Sequence, residues 1–190
     1  MVFKMDEPWP IFRTNRLLAV DPTAKEKLYH GPYNMILTSV FHEPRYEVSP
    51  QVRPLESRAA IDYVLEYLVQ IEDGVPVLGL EIKRASDLNF MERRSAGDEQ
   101  IRDRFRELAP YIRTPRFYMI SAIGTQCCVY TYERGANGIT ITPPAIHPTD
   151  HRITEDLAPA ARWDIDLGTL AGRNRLNEYF NDVRNMCNDL

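Results

Sequence analysis

The chain holds no apolar run approaching the roughly 20 residues of a membrane-spanning helix, which argues against a helical membrane protein. Its opening residues, Met1-Val2-Phe3-Lys4-Met5-Asp6-Glu7-Pro8, lack the apolar segment of a secretory signal. Cysteine is scarce and odd in number: Cys127, Cys128 and Cys187. Adjacent cysteines on a strand point to opposite faces, so this usage makes no disulfide scaffold and suits a reducing compartment. The expected location is therefore cytoplasmic or nuclear, not secreted. No glycine-rich phosphate loop and no serine or cysteine nucleophile motif is present, which removes the enzyme classes built on them. His147 and His151 sit in a proline-rich loop without the Cys or carboxylate spacing of a zinc site. A basic surplus is missing too: 23 Lys and Arg face 27 Asp and Glu, a net charge of −4 that does not advertise nucleic-acid binding.

What is present is the composition of one folded domain. The 190 residues are 44% hydrophobic and 26% charged, enough to bury a core. The whole chain, 1–190, reads as a single domain without internal repeats: an N-terminal arm over 1–20, a core over 33–132 and additions over 133–190. Trp9, Ile11 and Phe12 are placed to tie the arm to the core. Asp21-Pro22 reads as a helix start, running to Lys27 or His30 and broken by Gly31-Pro32. A second short helix follows over Tyr33–Phe41, and Tyr46–Val52 reads as a first strand. Ala60–Ile71 and Val77–Lys83 are rich in β-branched and aromatic residues and flank Glu72-Asp73-Gly74, a hairpin signature. Ile101, Phe105, Leu108 and Ile112 form an apolar stripe on a helix from Asp98 to Ile112, capped by Ser95 or Asp98. Arg116–Ile123, Cys127–Tyr132 and Ile139–Ile141 read as strands. Trp163, Ile165 and Leu167 alternate as in another strand, and Thr169–Met186 reads as a closing helix. The expected class is α/β, a mixed central sheet flanked by helices.

The hairpin carries the chemistry. Asp62 lies on its first arm and Glu81-Ile82-Lys83 on its second, where Glu81 and Lys83 share one face while Leu78, Leu80 and Ile82 share the other. An acid and an amine side by side, opposite a second acid, equip a site for metal-assisted phosphodiester cleavage. The bland alternative is a surface ion pair of Glu81 with Lys83, and Asp62 capping a turn.

This arrangement resembles the PD-(D/E)xK, restriction-endonuclease-like nuclease superfamily, closest in flavour to the nuclease domain of type I restriction enzymes and small stand-alone relatives. The proline of the name is replaced, the chain reading Ala60-Ile61-Asp62. The resemblance spans about Tyr33 to Tyr132 and implies an αβββαβ core with C-terminal strand and helix additions. It further implies that Asp62, Glu81 and the backbone carbonyl of Ile82 hold Mg²⁺ or Mn²⁺, and that Lys83 assists the attacking water and the transition state. The implied activity is a metal-dependent nuclease acting on DNA or RNA. Gln100, at the start of the following helix, occupies a place where relatives carry an assisting glutamine; the tyrosine expected four residues later is Arg104 here. Relatives often add a glutamate from the first helix. Tyr33–Phe41 has none, and Glu26, His30 and Glu43 lie nearby without clear register.

Between Lys83 and Arg116 nine basic residues meet six acids, a local surplus of +3 within an acidic chain. Arg93, Arg94 and Arg104 are the candidates for phosphate contact, with a helix laced by its own ion pairs as the alternative. The expected partner is nucleic acid, with no membrane contact; a homodimer is left open. The competing function is a degenerate member of the fold that binds nucleic acid or protein without turnover.

Overall fold

The computed structural model describes residues 25–52, 65–136, 138–150 and 154–190. Asp62, the arm over 1–20 and the Asp21-Pro22 helix start lie outside the described residues. The elements run α1 (Lys27–Val40), β1 (Glu47–Val52), β2 (Leu65–Ile71), β3 (Val75–Lys83), α2 (Met91–Leu108), β4 (Arg116–Ile123), β5 (Gln126–Gly135), β6 (Gly138–Thr142), β7 (Ile165–Asp166) and α3 (Leu170–Asn188). The strands build one open mixed sheet in the order β1-β2-β3-β4-β5-β6, with β7 added to β5. Among the described strands only β3 and β4 run parallel, and the other pairs are antiparallel. The parallel pair needs a long crossover, and α2 supplies it.

Alternation along the strands gives each sheet face its own core. On one side, Tyr29, Tyr33 and Leu37 of α1 and Leu176, Phe180 and Val183 of α3 pack on Leu78, Leu80, Ile82 and Ile120. On the other, Ile101 and Phe105 of α2 pack on Phe117, Met119, Tyr130 and Tyr132. Cys127 falls in the first cluster and Cys128 in the second, as adjacent strand residues must. Tyr118, Tyr130 and Tyr132 are all buried, so they pack the core and offer no open ring for a base. Among the described residues no helix is long and apolar enough to cross a membrane.

Several boundaries differ from the sequence reading, three of them for a clear physical reason. α1 is one helix that runs through Pro32. Proline removes a single helical hydrogen bond there, and buried Tyr29, Tyr33, Ile36 and Leu37, spaced for one helical face, hold the turns on either side together. α2 begins at Met91, with neither Ser95 nor Asp98 as its cap. β3 begins at Val75 and includes Pro76, which sits where a bulge shifts the β2 register between Val69 and Gln70. The hairpin turn itself places Asp73 at φ 61° and Gly74 at φ 70°, the left-handed pair that an Asp-Gly sequence favours.

Asp98 has a role other than capping. Its carboxylate accepts from Arg102 Nε at 2.7 Å, Arg162 Nη1 at 2.6 Å and Tyr130 Oη at 2.8 Å. Arg102 also donates to Pro143 O and Arg162 to Pro144 O, so the chain beyond β6 is fastened onto α2. Asp98→Ala leaves two guanidinium groups beside a missing acid, and removing one partner of a buried charge cluster costs about 3–5 kcal/mol. Chemical denaturation is expected to show a loss of that size; a loss below about 1 kcal/mol, the scale of an exposed pair, contradicts the assignment.

Candidate functional site

β3 is paired on both sides, so its side chains alternate between two packed faces, and an acid at position 81 is carried inside. Leu78, Leu80 and Ile82 take the α1/α3 face, and Glu81 takes the α2 face at 2% exposure. An ionised carboxylate without water needs a compensating charge. Arg104 of α2, itself 2% exposed, brings Nε to 3.7 Å from Glu81 Oε1 and donates from Nη1 to Glu107 Oε2 at 2.6 Å. Glu81 Oε1 makes no hydrogen bond. Burial pushes the Glu81 carboxyl up to about 7; Lys83 and Arg104 pull it down and Glu66 adds to the rise.

Glu66 is the cross-strand acid. Tyr67 stands opposite Leu80 in the antiparallel ladder, and one residue further Glu66 stands opposite Glu81. Burial raises the Glu66 carboxyl, with His30 opposing and Glu26 adding to the shift. His30 Nδ1 lies 3.4 Å from Glu66 Oε2, and His30 Nε2 lies 4.0 Å from Glu26 Oε1. Tyr67 Oη donates to His30 O at 3.1 Å, tying this turn of α1 to β2. One ligand-capable atom from each of Glu26, His30 and Glu66 lies within 4.8 Å of the others. His30 Nε2 and Glu66 Oε2 are buried without a hydrogen bond. Two carboxylates and an imidazole fit a divalent cation, and the nitrogen donor suits Mn²⁺ better than Mg²⁺, which favours oxygen alone.

Lys83 ends β3 half-buried and opens into a cleft of about 540 Å³ that also reaches Glu26 and Gln100. Glu26, His30 and Glu66 thus meet at the start of α1 and on β2, and Glu26, Lys83 and Gln100 line one cleft. Extending the ladder one residue beyond the Tyr67–Leu80 pair sets Glu66 across from Glu81. Ile82 buries its side chain on the opposite face.

The three arginines part company. Arg93 is exposed on the cleft. Arg94 is buried and donates to Ala158 O at 2.8 Å, to Leu88 O at 2.6 Å and to Asp156, so it fastens the chain before α3 rather than facing a ligand. Arg104, expected outside the core, lies inside it because α2 turns that position onto Glu81. Reading the sequence missed Glu66, although counting outward from a two-residue Asp73-Gly74 turn places it opposite Glu81. Glu26 and His30 lacked register because Gly31-Pro32 reads as a break. No family model, no curated protein and no solved structure matches the chain.

The Glu81 shift has a thermodynamic sign. The folded state holds this proton up to about pH 7, whereas an unfolded glutamate releases it near 4.5. Stability from Glu81 is therefore full below about 4.5, falls as pH rises and levels off above 7. Two to three pH units correspond to on the order of 3 kcal/mol. In chelator, the stability advantage of Glu81→Gln over the parent is expected to grow by that order between pH 4.5 and 8, read by urea unfolding. A difference that is constant across this range contradicts the buried-acid assignment.

Proposed function

We propose that the chain is a divalent-metal-dependent nuclease of the PD-(D/E)xK type, hydrolysing phosphodiester bonds of DNA or RNA. The observation that carries the reading is Glu66 opposite Glu81 on neighbouring strands, with Lys83 two residues on and on the same face. The element order α1-β1-β2-β3-α2-β4, with β3 parallel to β4, is the order an αβββαβ core requires. Glu26 and His30 supply the donors from the first helix that the sequence left without register.

A cation held by these groups, Mn²⁺ or Mg²⁺, would polarise the scissile phosphate and lower the pKa of a coordinated water. The chain's own residues do the rest. Glu66 and Glu81 repel one another when both are ionised, so they favour positive charge between them. Lys83 donates from its ammonium to the attacking oxygen or a phosphate oxygen and offsets charge gathering in the transition state. Gln100 lines the same cleft and would offer its amide N–H to a phosphate there. Arg104 holds the Glu81 carboxylate from behind, at 3.7 Å.

One observation favours the second reading, a nuclease fold that binds nucleic acid or protein without turnover. Glu81 is 98% withdrawn from solvent and already faces a guanidinium, which an internal structural pair also explains.

Incubating the protein with a plasmid and with an RNA in Mn²⁺ separates the two. Cleavage is expected, and Lys83→Ala is expected to slow it by about 100-fold or more while Mn²⁺ binding persists in calorimetry. Glu66→Ala is expected to lose the metal itself. Metal binding without cleavage of either polymer favours the second reading; metal binding unchanged in Glu66→Ala overturns the site.

A further inference from the structure

Gly97 lies inside α2, where glycine is the least favourable residue apart from proline. Two structural reasons commonly keep a glycine in a helix: a crowded neighbour or a left-handed backbone. Neither applies. Among the described residues, a Cβ built on Gly97 meets no atom within 4 Å beyond its chain neighbours and its own helix backbone, and its φ is not among the positive values, which occur at Gly74, Gly124 and Gly138. Gly97 itself is buried, and a side chain there would project into the cleft that it lines.

Arg93, Gly97 and Gln100 follow one another at helical spacing along that wall, and Lys83, Arg84 and Lys25 enter from other segments. Four basic residues thus meet two acids, Glu26 and Asp87. Asp87 accepts from Arg84 Nε at 2.8 Å and so fixes the direction of that guanidinium. Among the described residues no aromatic ring lines the cleft, so they offer bases no stacking platform there. At about 540 Å³ it has the size of a ligand pocket.

We propose that the cleft over Gly97 is the channel for a single polynucleotide strand, held by its phosphates and indifferent to base sequence. The identity of the polymer rests on the nuclease reading; the channel rests on the missing side chain and the basic wall. Gly97 lets the sugar-phosphate backbone lie against α2, with Arg84 and Arg93 on its phosphates and Lys83 at the end nearest Glu66 and Glu81.

Fluorescence anisotropy with short mixed-sequence single strands of DNA and of RNA, in chelator so that nothing is cut, tests this directly. Gly97→Leu raises helix propensity and removes no charge, so its melting temperature should not fall. Its affinity for both strands is expected to drop by at least about tenfold, because the leucine stands in the path. The Arg84→Ala, Arg93→Ala double variant is expected to flatten the slope of log affinity against log salt by about 1.4, two contacts at about 0.7 each. Parent-like binding by Gly97→Leu, an unchanged salt slope, tighter binding of duplex than of single strands, or no binding by the parent protein overturns the proposal. Failure of the two readings is distinguishable. Binding lost in Gly97→Leu with no cleavage by the parent in Mn²⁺ keeps the channel and removes the nuclease. Cleavage by Gly97→Leu at the parent's rate keeps the nuclease and removes the channel.

Discussion

A carboxylate on an interior strand cannot be solvated, and the neighbourhood of Glu81 is built around that fact. β3 is flanked by β2 and β4 and covered by α2, so Glu81 has lost nearly all contact with water. Burial alone lifts its affinity for a proton towards neutrality. The compensation comes from three directions: Arg104 from the helix above, Lys83 along the same strand and, in the proposed active state, a cation shared with Glu66. The same burial that makes the acid costly would make it an effective ligand for the proposed cation, because a charge held in a dry site is not competing with solvent.

The helices take their positions from unrelated fastenings. α1 continues through Pro32 because its apolar face spans both sides of the proline, and that continuity brings His30 and Glu26 to Glu66. α2 is fixed at both levels of the structure: by Ile101 and Phe105 in the apolar layer, and by Asp98 and Arg94 through the chain around residues 143–163. The basic residues of α2 therefore divide by depth. Arg94 and Arg102 are fastenings, Arg104 is a counter-charge, and Arg93 faces the cleft. Net charge gave no hint of this division, since a chain with a surplus of acids still presents four basic groups around one cleft.

Much of the layout was legible in the chain. Asp73-Gly74 marked the hairpin, the alternation of Leu78, Leu80 and Ile82 separated the apolar face from Glu81 and Lys83, and the stripe Ile101-Phe105 marked the inner face of α2. What stayed hidden depends on tertiary packing. Helix propensity at Gly31-Pro32 argues for a break, and only the packing of Tyr29 and Tyr33 against the sheet overrides it. The partner of Glu81 depends on register, which the three-residue turn shifts by one and the bulge at Val69/Gln70 shifts back. The motif spacing points to Asp62, which lies outside the described residues, and a count along the ladder adds Glu66. The depth of Arg94 and Arg104 was likewise invisible, because a charged residue on a helix reads as exposed until its buried partner is known.

The central claim is that β2, β3 and the start of α1 form one divalent-metal centre. Anomalous diffraction from crystals soaked in Mn²⁺, recorded on both sides of the manganese edge, tests it most directly. The account predicts a manganese peak within coordination distance of a Glu66 oxygen, with Glu81 or the pair Glu26 and His30 completing the protein ligands. A peak bound elsewhere, or none at Glu66 under conditions in which the crystals take up the ion, contradicts it.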